Sequence, residues 1–204
     1  MTGAISKQRP QEQSSGPLAF LAHVFPAVWP HARRKPREHQ PMNPGDSVQV
    51  DTMEVKPTAG MVDEPFTARD VCSKWDVVSV YSRATATNAT RFLNELIART
   101  PFEVRGIQIA GGSEVKAESE DACRERGILL FALPPRSLKL NGCVERASRE
   151  YDEDCHQFNL TEHTVLGVRR LFHEAERVDN FERPHQRLDN LTPNEFLQKI
   201  GFAA

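Results

Sequence analysis

Two carboxylates, and a third place that lacks one, hold the chemistry this chain could do. Asp51 stands in "SVQVDTMEV", a segment that alternates apolar and polar residues, and Glu145 stands one turn into the helical pattern after "KLNG". The stretch "RGIQIAGGSEV", Arg105 to Val115, reads as a short apolar strand running into a glycine turn and a polar helix start, and its strand ends on Ala110. In a layout of three strands followed by βα units, the first and fourth strands are often neighbours, and a following helix can cross beside them. A carboxylate from each of the three places would make a cage of hard oxygen ligands for two divalent cations, with sites left open for water and phosphate. Ala110 offers no ligand.

The elements that must position these residues follow from periodicity. Ser47–Val55 has the strand period of two, with Val48, Val50, Met53 and Val55 as its apolar members. Two further strands are predicted near Phe66–Val71 and Trp75–Tyr81, and others at Val104–Ile109 and Ile128–Leu133. "TNATRFLNELIART" places Phe92, Leu93, Leu96 and Ile97 at helix spacing, with Thr87 or Asn88 as its N-cap. "AESEDACRERG" is a helix closed by Gly127, and "CVERASREYDED" is another, after the loop "PPRSLKLNG". "TEHTVLGVRRLFHEAERVDNF" carries Val165, Val168, Phe172 and Ala175 along one stripe. "NLTPNEFL" opens a last helix, with Thr192 as N-cap, Pro193 first and Glu195 closing a capping box. The order β-β-β-α-β-α-β-loop-α implies an α/β fold, a mixed sheet flanked by helices.

The 204 residues are 39% hydrophobic and 26% charged, the balance of a globular chain with one domain and a tail. The net charge of -2 is unevenly spread. Residues 1–45 hold six Lys or Arg against two Glu, a net of +4, which leaves 20 against 26, a net of -6, in the remainder. Nucleic-acid binding would then rest on local patches. Residues 1–43 are rich in Pro, Gln, Ser and Arg without a period, and are expected to form a disordered basic arm ahead of a folded unit over 44–200. Within the arm, "ARRKPR" is either a solvated tail or a phosphate contact. Cys72, Cys123, Cys143 and Cys155 include no C-x-x-C pair, which points to reduced thiols and away from zinc. The apolar run Pro17–Trp29 is broken by Pro26, too short to span a bilayer and a poor signal peptide, so a cytoplasmic protein without a membrane role is expected.

Five segments in order, "PGDSVQVDT", "FTARDVCSKWDVVSVYSRATA", "IQIAGGSEV", "LPPRSLKLNGCVERASRE" and "ERPHQRLDNLTPNEFL", resemble the integrase catalytic core of bacterial insertion-sequence DDE transposases, kin to retroviral integrases. They span roughly residues 43–197, about three quarters of the chain. The resemblance implies an RNase H-like fold: three antiparallel strands, then alternating β and α, with a C-terminal helical extension. It also implies metal-dependent DNA cleavage and strand transfer by two Asp and a Glu. The first Asp falls on Asp51 and the Glu on Glu145, as catalytic residues and ligands of Mg²⁺ or Mn²⁺. The second Asp falls on Ala110, with the family's interval of 34 residues before Glu145 kept. The site therefore reads as inherited and then disarmed, with metal binding weakened or absent.

Other departures are Leu138, where the family has Pro, and residues 1–30, which do not resemble the helical DNA-binding domain that precedes the core in the family and are read as a truncated or shifted reading frame. Glu114 is read as a helix N-terminal charge, with rescue of the site as its alternative. Arg136, Lys139, Arg146 and Arg149 surround Glu145 and are candidate DNA-phosphate contacts, with solvated charge as the even alternative. His185 is read as a turn histidine. The implied partners are DNA (element ends and target), further copies of the chain, or an active transposase. The function is DNA integration with crippled chemistry; the alternatives are a non-catalytic DNA-binding or transposase-associating inhibitor, and a degenerate fragment.

Overall fold

The computed structural model describes residues 32–36, 39–56, 62–109, 116–133, 141–157 and 165–202. The strands are β1 (Val48–Thr52), β2 (Glu64–Asp70), β3 (Asp76–Tyr81), β4 (Gly106–Ile109) and β5 (Leu129–Ala132). The helices are α1 (Ala86–Arg99), α2 (Lys116–Glu125), α3 (Gly142–Gln157), α4 (Val165–Phe181) and α5 (Pro193–Lys199). The sheet order is β3-β2-β1-β4-β5. The first three strands pair antiparallel, as their short connections allow, and β4 and β5 join parallel through helical crossovers.

The period of two decides which helix each strand residue meets. Val48, Phe66, Ala68 and Val77 pack into one apolar cluster with Phe92, Leu93 and Leu96 of α1 and Leu197 of α5. On the other face, Val78 and Val80 pack with Ala147 and Tyr151 of α3 and with Val168, Phe172 and Ala175 of α4. The result is helix, sheet and helix in three layers, the α/β arrangement the sequence predicts. Of the stripe predicted on α4, Val168, Phe172 and Ala175 are buried, and no helix among the described residues is long and apolar enough to cross a membrane.

A tight turn aligns the two strands that carry the site. Gly45 has φ +84°, and a Cβ there would lie 2.0 Å from the Glu103 carbonyl oxygen, so only glycine fits. Its own carbonyl accepts from the amides of Arg105 and Gly106 at 2.8 and 3.2 Å, while Asp46 accepts from Arg105 Nη2 at 2.7 Å. The start of β1 is thereby tied to the start of β4.

Both sheet edges are covered. Asn180 and Glu176 of α4 accept from the outward amides of Asp76 and Val78 at 2.8 and 2.9 Å. At the other edge, Arg33 donates to Leu130 O at 2.8 Å and accepts from Ala132 at 2.9 Å. Residues 32–36 meet the unpaired edge of β5, His39 packs on Phe131 at 5.0 Å, and Met42 and Asn43 donate to Asp46. Residues 1–31 lie outside the described residues.

Local signals hold with one correction. The capping box of Thr192 and Glu195 is formed, at 3.1 and 2.9 Å, and Gly127 follows α2 at φ +67°. The N-cap of α1 is Thr85 instead of Thr87 or Asn88: its hydroxyl accepts from the Asn88 amide, because the helix begins at Ala86. Cys72, Cys123 and Cys143 are free thiols.

Candidate functional site

Asp51 lies near the end of β1, and Gln49, two residues before it, shares its face of the strand. That face looks toward α3. Gln49 Oε1 accepts from the amides of Cys143 and Val144 at 3.0 and 3.2 Å, which caps the first turn of α3 from the middle of the sheet. Gln108 of β4, paired in register with Gln49, donates to Asn141 Oδ1 at 3.2 Å, and Asn141 Nδ2 reaches Val50 O at 3.5 Å. Asn141 O accepts from the Glu145 amide at 3.1 Å, so the turn that carries Glu145 begins on a pinned residue. Three amide side chains thus dock the start of α3 over β1 and β4.

The docking places the two predicted carboxylates within electrostatic reach of each other. The Asp51 carboxyl is pushed above the ordinary carboxylate range, first by burial and then by the charge of Glu145, against one hydrogen bond at 3.0 Å from the Thr52 amide. Among the described residues, neither Asp51 nor Glu145 forms an ion pair with a Lys or Arg. Two close carboxylates without a countercharge are a donor set suited to one hard divalent cation. No group of three or more His, Cys, Asp or Glu among the described residues could hold a metal ion. β4 pairs with β1 up to Val50 and Ile109. Ala110, Glu114, Arg136 and Lys139 lie outside the described residues.

Arg146 and Arg149 are on the solvent side of α3, with Arg146 Nε bonded to Glu150 at 3.0 Å. His185 is held in a turn: its amide donates to Leu191 O at 3.0 Å, and its Nε2 lies 3.5 Å from the buried Asp179.

A five-stranded mixed sheet of this order, flanked by helices, is a known architecture. The chain has the fold of a retroviral integrase catalytic core. The catalytic core domain of BIV integrase superposes with a TM-score of 0.61 at 21% identity, over 76% of this chain and 95% of that one. The HTLV-2 integrase catalytic core, in complex with magnesium in a trimeric form, gives 0.63 at 16% identity over 77% and 99%. The simian T-cell lymphotropic virus intasome, in complex with PP2A regulatory subunit B56 gamma, gives 0.63 at 18% identity over 84% of this chain and 66% of that one. At these identities the likeness is one of integrase-core fold. No family profile and no curated protein sequence matches the chain.

Sequence reasoning missed the amide triad. Its signal was present in "VQV" and "IQI", where a glutamine sits between apolar strand residues. Both glutamines are buried, and a buried amide needs partners. Also missed was a buried ion cluster in which Arg69 meets Asp76, Asp179 and Glu150.

Proposed function

We propose that this chain is a DNA-integration protein of the transposase and integrase type whose metal-dependent chemistry is impaired at Ala110. The observation that carries the reading is the electrostatic interaction between Asp51 and Glu145, two carboxylates with no cationic partner among the described residues, on elements that the integrase-core fold brings together. Mg²⁺ or Mn²⁺ would be held by Asp51 and Glu145. When bound, such an ion activates a water or 3′-hydroxyl and stabilises the leaving oxygen of a phosphodiester. The protein's own part is to hold both carboxylates in place, through Gln49, Gln108 and Asn141, and to present Arg146 and Arg149 to the phosphate backbone. Ala110 follows directly on Ile109, the partner of Val50 in β4, and brings no oxygen ligand to that strand end. Two ligands hold one ion weakly and a pair of ions poorly.

The test compares wild type, Ala110→Asp and Ala110→Asp/Glu145→Gln. Calorimetric Mn²⁺ titration and nicking of a labelled duplex are the two readouts. Ala110→Asp should tighten Mn²⁺ binding and raise nicking by at least on the order of 10²-fold, and Glu145→Gln should reverse both. Wild type nicking as fast as Ala110→Asp overturns the impairment and directs attention to Glu114. Absence of any gain in Ala110→Asp favours the second reading, a non-catalytic DNA-binding or transposase-associating protein. That second reading is supported by Ala110 itself together with the basic outer face of α3.

A further inference from the structure

A second groove lies on the flank of α3 away from Asp51. It encloses about 420 Å³ between the β2–β3 turn, the first turns of α3 and the loop after α4, and Lys74, Cys143, Arg146, Arg183, His185 and Arg187 are among its lining residues. Among the described residues that line it, the single acid is Glu150, already shared by Arg69 at 3.0 Å and Arg146 at 3.0 Å. Behind it, Asp76 and Asp179 are engaged by Arg69, and Asp179 also by Arg183 at 3.0 Å. A strongly basic lining on a unit of net negative charge is a local field for an anion.

Two residues in the groove have capacity left. Arg187 is exposed and has no partner among the described residues. Lys74 Nζ donates to Val71 O at 2.5 Å and lies 3.5 Å from Cys143 Sγ, which leaves the third of its three N–H groups unengaged. Lys74 also sits at φ +62°, where the other described non-glycine residues are Asp189 and Asn190, types that tolerate that region.

The outer face of α3 leads from the groove toward Glu145. At about 100° per residue, the exposed face runs from Glu145 through Arg149 and Arg146 to Glu150 and Cys143. A shallower groove on that face, lined by Gly142, Arg146, Arg149, Glu150 and Glu153, shares three residues with the deep one. We propose that the groove of Lys74 and Arg187 holds a run of DNA phosphate backbone that reaches the Asp51–Glu145 site across Arg149 and Arg146. This rests on the reading of the chain as a DNA-integration protein and adds to it a phosphate track away from the chemistry.

The full chain is tested with a short fluorescein-labelled duplex of arbitrary sequence, by anisotropy between about 50 and 200 mM salt. Lys74→Gln/Arg187→Gln should weaken binding and flatten the slope of log K against log salt by about 1.8, two contacts at about 0.9 each. Lys74→Arg/Arg187→Lys should keep the wild-type slope, and Mn²⁺ binding should be unchanged in both. A wild-type slope in the Gln variant, with Mn²⁺ binding still abolished by Asp51→Asn, overturns the groove and leaves the functional reading standing. A wild type that binds no duplex overturns both. Displacement of the duplex by inorganic phosphate at constant ionic strength identifies a free-phosphate site and overturns the track.

Discussion

The two charged clusters beside α3 are built in opposite ways. Around Arg69, whose side chain is 2% exposed, every charge has a partner. Its Nε and Nη2 bind both oxygens of Asp76 at 2.6 Å, Nη2 also meets Asp179 at 2.5 Å, and Nη1 meets Glu150. Tyr151 donates to Asp76 at 2.7 Å, and Asn180 brackets the backbone of Asp76. At Asp51 and Glu145, by contrast, two like charges act on each other, and among the described residues the Thr52 amide is the one hydrogen-bond donor to the Asp51 side chain. The first arrangement joins β2, β3, α3 and α4 and has nothing left to offer a ligand. The second has no cationic partner among the described residues. A stable scaffold with its electrostatics satisfied can hold a site whose electrostatics are not.

The comparison breaks first at Arg69. Arg69→Met leaves Asp76 and Asp179 buried without their cation and should cost about 3–5 kcal/mol in urea unfolding. A loss below about 1 kcal/mol would show that the cluster is as dispensable as a surface ion pair.

The next effect is on pH. Burial pushes the Asp76 carboxyl up to about 7 against the pull of Arg69, while His185 and Arg69 overcome burial to hold Asp179 down at about 2. The native state binds the Asp76 proton more tightly than the unfolded chain does. Stability should therefore fall as pH rises from the ordinary carboxylate value of 3.8 to about 7. Asp179 acts in reverse: its contribution is complete above 3.8 and is lost as pH falls through about 2. Asp51, also raised, adds to the downward slope. Urea midpoints measured across this range should decline toward neutral pH, and Asp76→Asn should flatten the decline. An unchanged decline in Asp76→Asn would assign it to other carboxyls.

The smallest effect sharpens the contrast from the other side. Asp51→Asn removes a repulsive charge from Glu145, so thermal unfolding should show no loss and at most a gain of about 0.5 kcal/mol. A clear destabilisation would mean that Asp51 is structural after all.

What the sequence determined by itself was local. The alternation in "SVQVDT", the apolar stripe of α4, the capping box at Thr192 and Glu195, and Gly127 after α2 all depend on neighbours within a few residues, whose geometry the backbone imposes. The carboxylate pair was legible through the resemblance that aligned Asp51 and Glu145, because two lone acids have no period of their own. Other features were decided only by tertiary structure. Arg69 and Asp179 are 110 residues apart in the chain, and Gln49 and Val144 are 95 apart. Residues 32–36 carry no strand pattern, yet the open edge of β5 supplies them with backbone partners. Lys74 and Arg187 become neighbours of one groove only when the loop after α4 folds back beside the β2–β3 turn. Such contacts join groups whose partners lie far along the chain, and spacing rules that reach a single helical turn carry no information about them.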